Sequence, residues 1–241
     1  IAGDAYSVDN SSFISNVFFT NSNIHGSGNA TNTNYVGGLI GRTYNSKFED
    51  IQVTNVTISG VSNNTNSVGG LVGNSVNGPI IDNAQLDNVT VFGDERIGGV
   101  IGRSSGSEIT NSSFNGTVLG QGIYKDYIGG IIGRSSSSEI TNSSFNGTVS
   151  GDKYVGGIVG YSDKTDISKS SFDGTLSGVD LVGGIVGQAI NTVIEESFNT
   201  GQVTATYAQS YAGGIAVQML DGSQIINSYN TGSVSASGEY V

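Results

Sequence analysis

Bond-making chemistry has little raw material in this chain. His25 is the only histidine, it stands beside Gly26 in a polar stretch, and there is no cysteine. Repeat-scaffold enzymes that cleave acidic polysaccharides need converging Asp or Glu, often with calcium and a basic residue. Here the carboxylates are scattered as Asp94-Glu95, Asp163, Asp166 and Glu195-Glu196. Glu195-Glu196 lies in an alternating segment and is expected to face water rather than form an acid/base pair. Asp163 to Asp166 makes a poor calcium loop, and no His-Glu-x-x-His is present. The expectation is a protein that is not an enzyme, with no cofactor and no metal.

Chemistry by contact is better supplied. Tyr35, Tyr127, Tyr154, Tyr211 and Tyr240 each stand just before an aliphatic-Gly-Gly step, and Ser67, Arg96 and Leu181 fill the same place in other copies. An outward column of tyrosines can stack on sugar rings or bury in a lateral contact; packing at a corner is the plainer alternative. Arg42, Asn74, Arg103, Arg134, Tyr161 and Gln188 follow the glycines and should form a second column. It would grip a glycan or a protein partner, or be tied down by Glu108 and Glu139 in surface ion pairs worth under about 1 kcal/mol. Thr57, Thr90, Thr117, Thr148 and Thr175 form a third, continued by Gln202 and Ser233. A flat threonine lattice of that kind can bind ice, although its neighbouring column (Ser59, Phe92, Leu119, Ser150, Ser177, Thr204, Ser235) is irregular.

These columns exist only because the chain repeats. The Gly-Gly step occurs seven times, its first glycine at positions 37, 69, 98, 129, 156, 183 and 213, separated by 32, 29, 31, 27, 27 and 30 residues. A period in that range marks a stacked repeat architecture. Residues 103–118 recur as 134–149 with one change, Gly106 against Ser137. Each unit holds three short apolar segments separated by small polar residues, enough for three strands and three turns. The expected fold is therefore all-β, a parallel β-helix or β-solenoid of about eight three-stranded coils of roughly 27–32 residues, forming one domain over residues 1–241. A β-propeller is the competitor, but its blades usually run to about 40 residues or more.

Aligning the copies predicts the interior. Ile81, Ile109, Ile140, Ile167, Ile194 and Ile225 should stack in one column. Phe114, Phe145, Phe172, Phe198 and Tyr229 should form a second, preceded by Phe19 and Leu86. Val91, Val118, Val149, Leu176, Val203 and Val234 should form a third. Each buried side chain would contribute about 1.5–3 kcal/mol. The glycine pairs are expected to supply positive φ or room at a tight corner.

The pattern resembles the GLUG motif, named for its Gly-Leu-aliphatic-Gly core. Here the core reads Gly38-Leu39-Ile40-Gly41, Gly70-Leu71-Val72-Gly73, Gly99-Val100-Ile101-Gly102, Gly130-Ile131-Ile132-Gly133, Gly157-Ile158-Val159-Gly160 and Gly184-Ile185-Val186-Gly187. The seventh, Gly214-Ile215-Ala216-Val217, loses the last glycine, which puts the regularity of its coil in question. The resemblance implies tandem repeats of large exported surface proteins, some of them immunoglobulin A1 proteases. It implies a scaffold and not an activity.

Composition narrows the partners. Nine Lys and Arg against 20 Asp and Glu give a net charge of −11, which disfavours nucleic acid and anionic membrane surfaces. No apolar run approaches the roughly 18 residues of a membrane helix, so direct membrane insertion by this segment is not expected. Sequons at Asn10, Asn29, Asn55, Asn63, Asn88, Asn111, Asn115, Asn142 and Asn146 would be glycosylated if export passes through such a pathway. The chain begins and stops in mid-coil without a polar cap. That predicts an interior stretch of a longer array, or a subunit that stacks on its own copies. Together these readings predict an extracellular, cell-surface adhesive or structural protein, with self-association and surface glycans or host proteins as partners. Ice binding and polysaccharide cleavage are the alternatives.

Overall fold

The structure is a computed structural model and describes residues 2–5, 12–26, 34–60, 67–122 and 124–237. These residues form strands and no helix, and every strand pairing is parallel. Three sheets make the three faces of a β-solenoid. One face stacks Ala2–Ala5, Ile40–Tyr44, Val72–Val76, Ile101–Ser105, Ile132–Ser136, Val159–Asp163, Val186–Ile190 and Ala216–Leu220. Another runs from Tyr35–Gly37 to Tyr211–Gly213 through the segments that end in the first glycine of each pair. The remaining 15 strands form the third sheet. The count is about seven turns, close to the eight expected.

Why the chain turns is visible in its backbone. The 14-residue strands Phe13–Gly26, Lys47–Gly60 and Ile80–Gly93 are each bent twice at a left-handed residue: Asn16 and Asn21, Asp50 and Asn55, Asn83 and Asn88. Asn and Asp tolerate this region better than other side chains. Each such residue adds one to the usual alternation, so the buried positions run Phe48, Ile51, Val53, Val56, Ile58 instead of every second residue. The corner amides then bond from coil to coil: Asn55 Nδ2 donates to Asn21 (3.2 Å), Asn88 to Asn55 (2.7 Å) and Asn142 to Asn111 (2.7 Å).

The glycine pairs serve by their size. None of them has a positive φ. A Cβ on Gly129 would lie 2.0 Å from the Ile132 carbonyl oxygen, and one on Gly130 would lie 2.0 Å from that of Gly157 in the next coil. Of the two roles expected, room is the one at work. The final glycine of the motif has a different neighbour. In three coils a Cβ there would press on the carbonyl of the residue two before the pair: Gly102 on Arg96, Gly133 on Tyr127, Gly160 on Tyr154, at 2.6–2.7 Å. Arg96, Tyr127 and Tyr154 are themselves left-handed, with φ of 52, 59 and 54°. Ser67 and Leu181 have no positive φ although Gly73 and Gly187 follow them, and neither has Tyr211, where Val217 replaces that glycine; Ala216–Leu220 still pairs in register with Val186–Ile190.

Two of the three predicted interior columns keep their register throughout and are buried up to the last coil, where Ile225 is 41% exposed and Val234 half-buried. Ile81, Ile109, Ile140, Ile167, Ile194 and Ile225 are mutual register partners, and so are Val91, Val118, Val149, Leu176, Val203 and Val234. The phenylalanine column holds only from Phe19 through Leu86, Phe114 and Phe145 to Phe172. Its rings lie 5.0 Å apart between Phe114 and Phe145 and 5.8 Å apart between Phe145 and Phe172. Beyond that, Phe172 is opposite Asn199, and Phe198 is opposite Ser171. Five residues separate Ile167 from Phe172, but four separate Ile194 from Phe198, and Ile225 from Tyr229. A slip of one residue puts a strand side chain on the other face. Phe198 and Tyr229 therefore stack outside (5.3 Å), and Asn199, fully buried, takes the interior place.

That asparagine is paid for with hydrogen bonds. Asn199 Nδ2 donates to Asn230 Oδ1 (2.7 Å), and the Gly201 N–H donates to Asn199 Oδ1 (2.8 Å). An internal serine column runs alongside. The N–H groups of Ser112, Ser143, Ser170 and Ser197 donate to the hydroxyls of Ser143, Ser170, Ser197 and Ser228 at 3.0–3.3 Å. Each hydroxyl donates in turn to the carbonyl two residues earlier, as Ser143 does to Thr141 (3.0 Å). Buried polar groups so satisfied carry no large desolvation penalty.

Candidate functional site

The tyrosine and arginine columns are in register and converge. Tyr127 and Tyr154 stack with ring centroids 5.0 Å apart, and both meet Tyr161 edge-on at 5.7 and 5.8 Å. The Arg134 guanidinium lies over Tyr127 (5.5 Å) and Tyr161 (5.2 Å). Arg42 sits likewise between Tyr35 (5.6 Å) and Tyr44 (4.7 Å). What the sequence presents as two stripes is one aromatic and cationic edge, bridging two faces of the rod. No ion pair joins Arg103 to Glu108 or Arg134 to Glu139 among the described residues; Arg134 stacks on tyrosines instead. Arg103 is exposed, whereas Asn74 and Gln188 of the same column are buried, and Gln188 bonds Gln218. Tyr211 is exposed but is separated from the stack by Leu181; Tyr240 lies outside the described residues.

Beside the tyrosines runs a charged column that sequence reasoning passed over: Glu95, Asp126 and Lys153, opposite one another in successive coils. Glu95 is 8% exposed and pairs with Arg96 at 2.9 Å. Desolvation raises the pKa of Glu95 above the ordinary carboxylate range against the pull of Arg96, and raises that of Asp126 against the pull of Lys153. Lys153 is shifted upward, first by its hydrogen bond to Tyr154. Its ammonium also lies 4.9 Å from the centre of that ring. The i, i+1 adjacency of these charges to the tyrosines was the available signal.

Insertions lengthen the same corner in several coils, two of them after Gly93. From Gly151 to Val155 and from Gly178 to Val182 the corner advances four residues, but from Gly120 to Ile128 it advances eight, and from Ala205 to Ala212 seven. Each of these two presents an exposed tyrosine, Tyr124 and Tyr207. A cavity of about 320 Å³ opens beside the second, lined by Asp152, Lys153, Val179, Asp180, Tyr207 and Gln209.

The other sequence candidates stay apart from this edge. His25 lies in the strand Phe13–Gly26 rather than a loop, with Nδ1 2.7 Å from the Ser59 hydroxyl. Glu195 ends a strand, and Glu196 occupies a left-handed turn 3.9 Å from Lys169. No group of three His, Cys, Asp or Glu residues fit to hold a metal occurs among the described residues. The threonines from Thr57 to Thr175 are in register, but Phe92 and Leu119 flank them. Asn55, Asn88, Asn111, Asn115, Asn142 and Asn146 are exposed; Asn10, Asn29 and Asn63 lie outside the described residues.

Comparison with known proteins agrees on the repeat. The family model described as the GLUG motif matches residues 93–119, 126–150 and 151–177. No curated protein and no solved structure matches the chain.

Proposed function

We propose, taking the three GLUG motifs of residues 93–177 as the premise, that this β-solenoid is a non-enzymatic structural and adhesive rod of an extracellular surface. It serves as a building block of an adhesin stalk, filament or sheath. The observation that carries this reading is the register of unlike chemistry outside and like chemistry inside. Parallel ladders and stacked Ile, Phe and Val make a stiff body, and its outward edge carries arginine–tyrosine clusters at two separate levels, around Arg42 and around Arg134. Weak contacts repeated on a rigid support gain strength through multivalency. The six exposed sequons are compatible with a sugar-coated surface.

Surface labelling tests it directly. An impermeant biotin reagent or brief protease treatment of intact source cells should tag or clip this chain while sparing cytosolic markers. Recovery of the chain only in the cytosolic fraction would sink the reading.

A further inference from the structure

The geometry points to a binding trough for a neutral oligosaccharide between the corner insertions that hold Tyr124 and Tyr207, with Asp152 and Asp180 on its floor and Tyr207 on its lip. This deepens the adhesive reading and rests on it. The coils of Asp152 and Asp180 take the corner by the short route, so they lie lower than the inserted loops on either side. Tyr124 stands one coil before Asp152, and Tyr207 one coil after Asp180. At roughly 4.8 Å per coil, the two exposed rings are about 14 Å apart along the rod. The cavity of about 320 Å³ lies at the small end of the roughly 300–1,000 Å³ range of small-molecule sites.

The backbone fixes this shape. Val179 and Asp180 both donate their N–H to the Asp152 carbonyl (2.9 Å), and Tyr211 donates to that of Asp180 (3.1 Å). The inserted loop is pinned at both ends, by Thr206 N–H to the Gly178 carbonyl (2.9 Å) and by a turn from Ser210 N–H to the Tyr207 carbonyl (3.1 Å). Tyr207, 58% exposed, is thus presented on a held loop.

The lining selects the ligand. Carboxylates and the Gln209 amide accept and donate hydrogen bonds as sugar hydroxyls require, and a tyrosine face takes the apolar face of a pyranose ring. Both nearby lysines are engaged: Lys125 lies 3.8 Å from Asp152, and Lys153 lies 3.8 Å from Asp180. Paired in this way the floor has no net charge, so uronates and sulfated glycans find no electrostatic hold there and meet the general repulsion of a chain of net charge −11. The same two lysines reduce the attraction for a basic peptide. A polyhydroxylated, uncharged chain fits what remains.

Screening the purified chain against immobilised neutral glucans, galactans and mannans, alongside anionic polysaccharides and oligolysine, tests the assignment. Retention of at least one neutral glycan is expected, with affinity reduced about tenfold or more in Tyr207→Ala and in Asp180→Asn. Phe18→Ala, exposed on the strand Phe13–Gly26 several coils away, should bind as the parent does. Circular dichroism checks that each variant keeps its sheet; should Tyr207→Ala unfold, Gln209→Ala takes its place. Retention of no neutral glycan, preference for the anionic or basic probes, or undiminished binding by both floor and lip variants would overturn it. Surface labelling would still stand if this failed, since it detects location and not sugar.

Discussion

Residues 109–176 and residues 194–234 share one alignment and build two different interiors. In the first stretch, Phe114, Phe145 and Phe172 fill the middle column, and rings touch rings. In the second, one residue fewer after the isoleucine turns Phe198 and Tyr229 to the outside, and the column continues as Asn199 over Asn230. Repeat identity therefore does not carry over by residue type alone. The count between turning points decides which face a side chain takes.

The difference can be pushed hardest by truncation. Phe145→Ala should cost about 3–5 kcal/mol, as for large buried rings elsewhere. Phe198→Ala removes a half-exposed ring from an external stack worth about 0.5–1.5 kcal/mol, so its loss should be several-fold smaller. Urea denaturation of the two variants measures the gap, and equal losses would refute the slipped register.

Hydrogen bonds give the next test. Asn199→Ala leaves the Gly201 N–H and the Asn230 Oδ1 without their partner, at about 1–3 kcal/mol for a buried group. Amide hydrogen exchange should speed up at Gly201, whose N–H donates to Asn199, and stay unchanged in the coil of Phe114. Protection unchanged throughout would mean that asparagine does not carry the column.

The smallest contrast is electrostatic. Glu95 and Asp126 hold their protons more tightly folded than unfolded, so they favour the fold at low pH, and that support is lost as pH rises through their raised values. Asp82 is lowered, chiefly by the Asn111 amide, and supports the fold above the ordinary carboxylate range, losing that support on acidification. Melting temperature should therefore climb modestly on acidification toward the ordinary carboxylate range, about pH 4, and fall below it. Asp126→Asn should flatten the climb and leave the acid limb alone. A climb that persists in full would place its origin elsewhere.

How far the sequence discloses this follows from the kind of signal each feature leaves. The columns of Ile and Val are plain, because like residues recur at near-constant spacing. The slip at Phe198 was open to a count, four residues against five, but residue type overrode it. The left-handed corners are hidden by abundance: where asparagine is everywhere, Asn55 and Asn88 do not stand out from Asn115. The serine column is hidden for the same reason, since Ser143 inside and Ser144 outside are adjacent and identical. The meeting of Arg134 with Tyr127 and Tyr161 crosses a corner, and linear spacing does not say how sharply a chain bends.

The twin segments 103–118 and 134–149 rest on each other with Ser104 over Ser135, Ile109 over Ile140 and Phe114 over Phe145. A surface that accepts its own duplicate accepts any number of them. Reach can then grow by copying a turn in the gene, with no new interface to invent, and a ligand-bearing corner can be moved outward simply by adding blank turns beneath it.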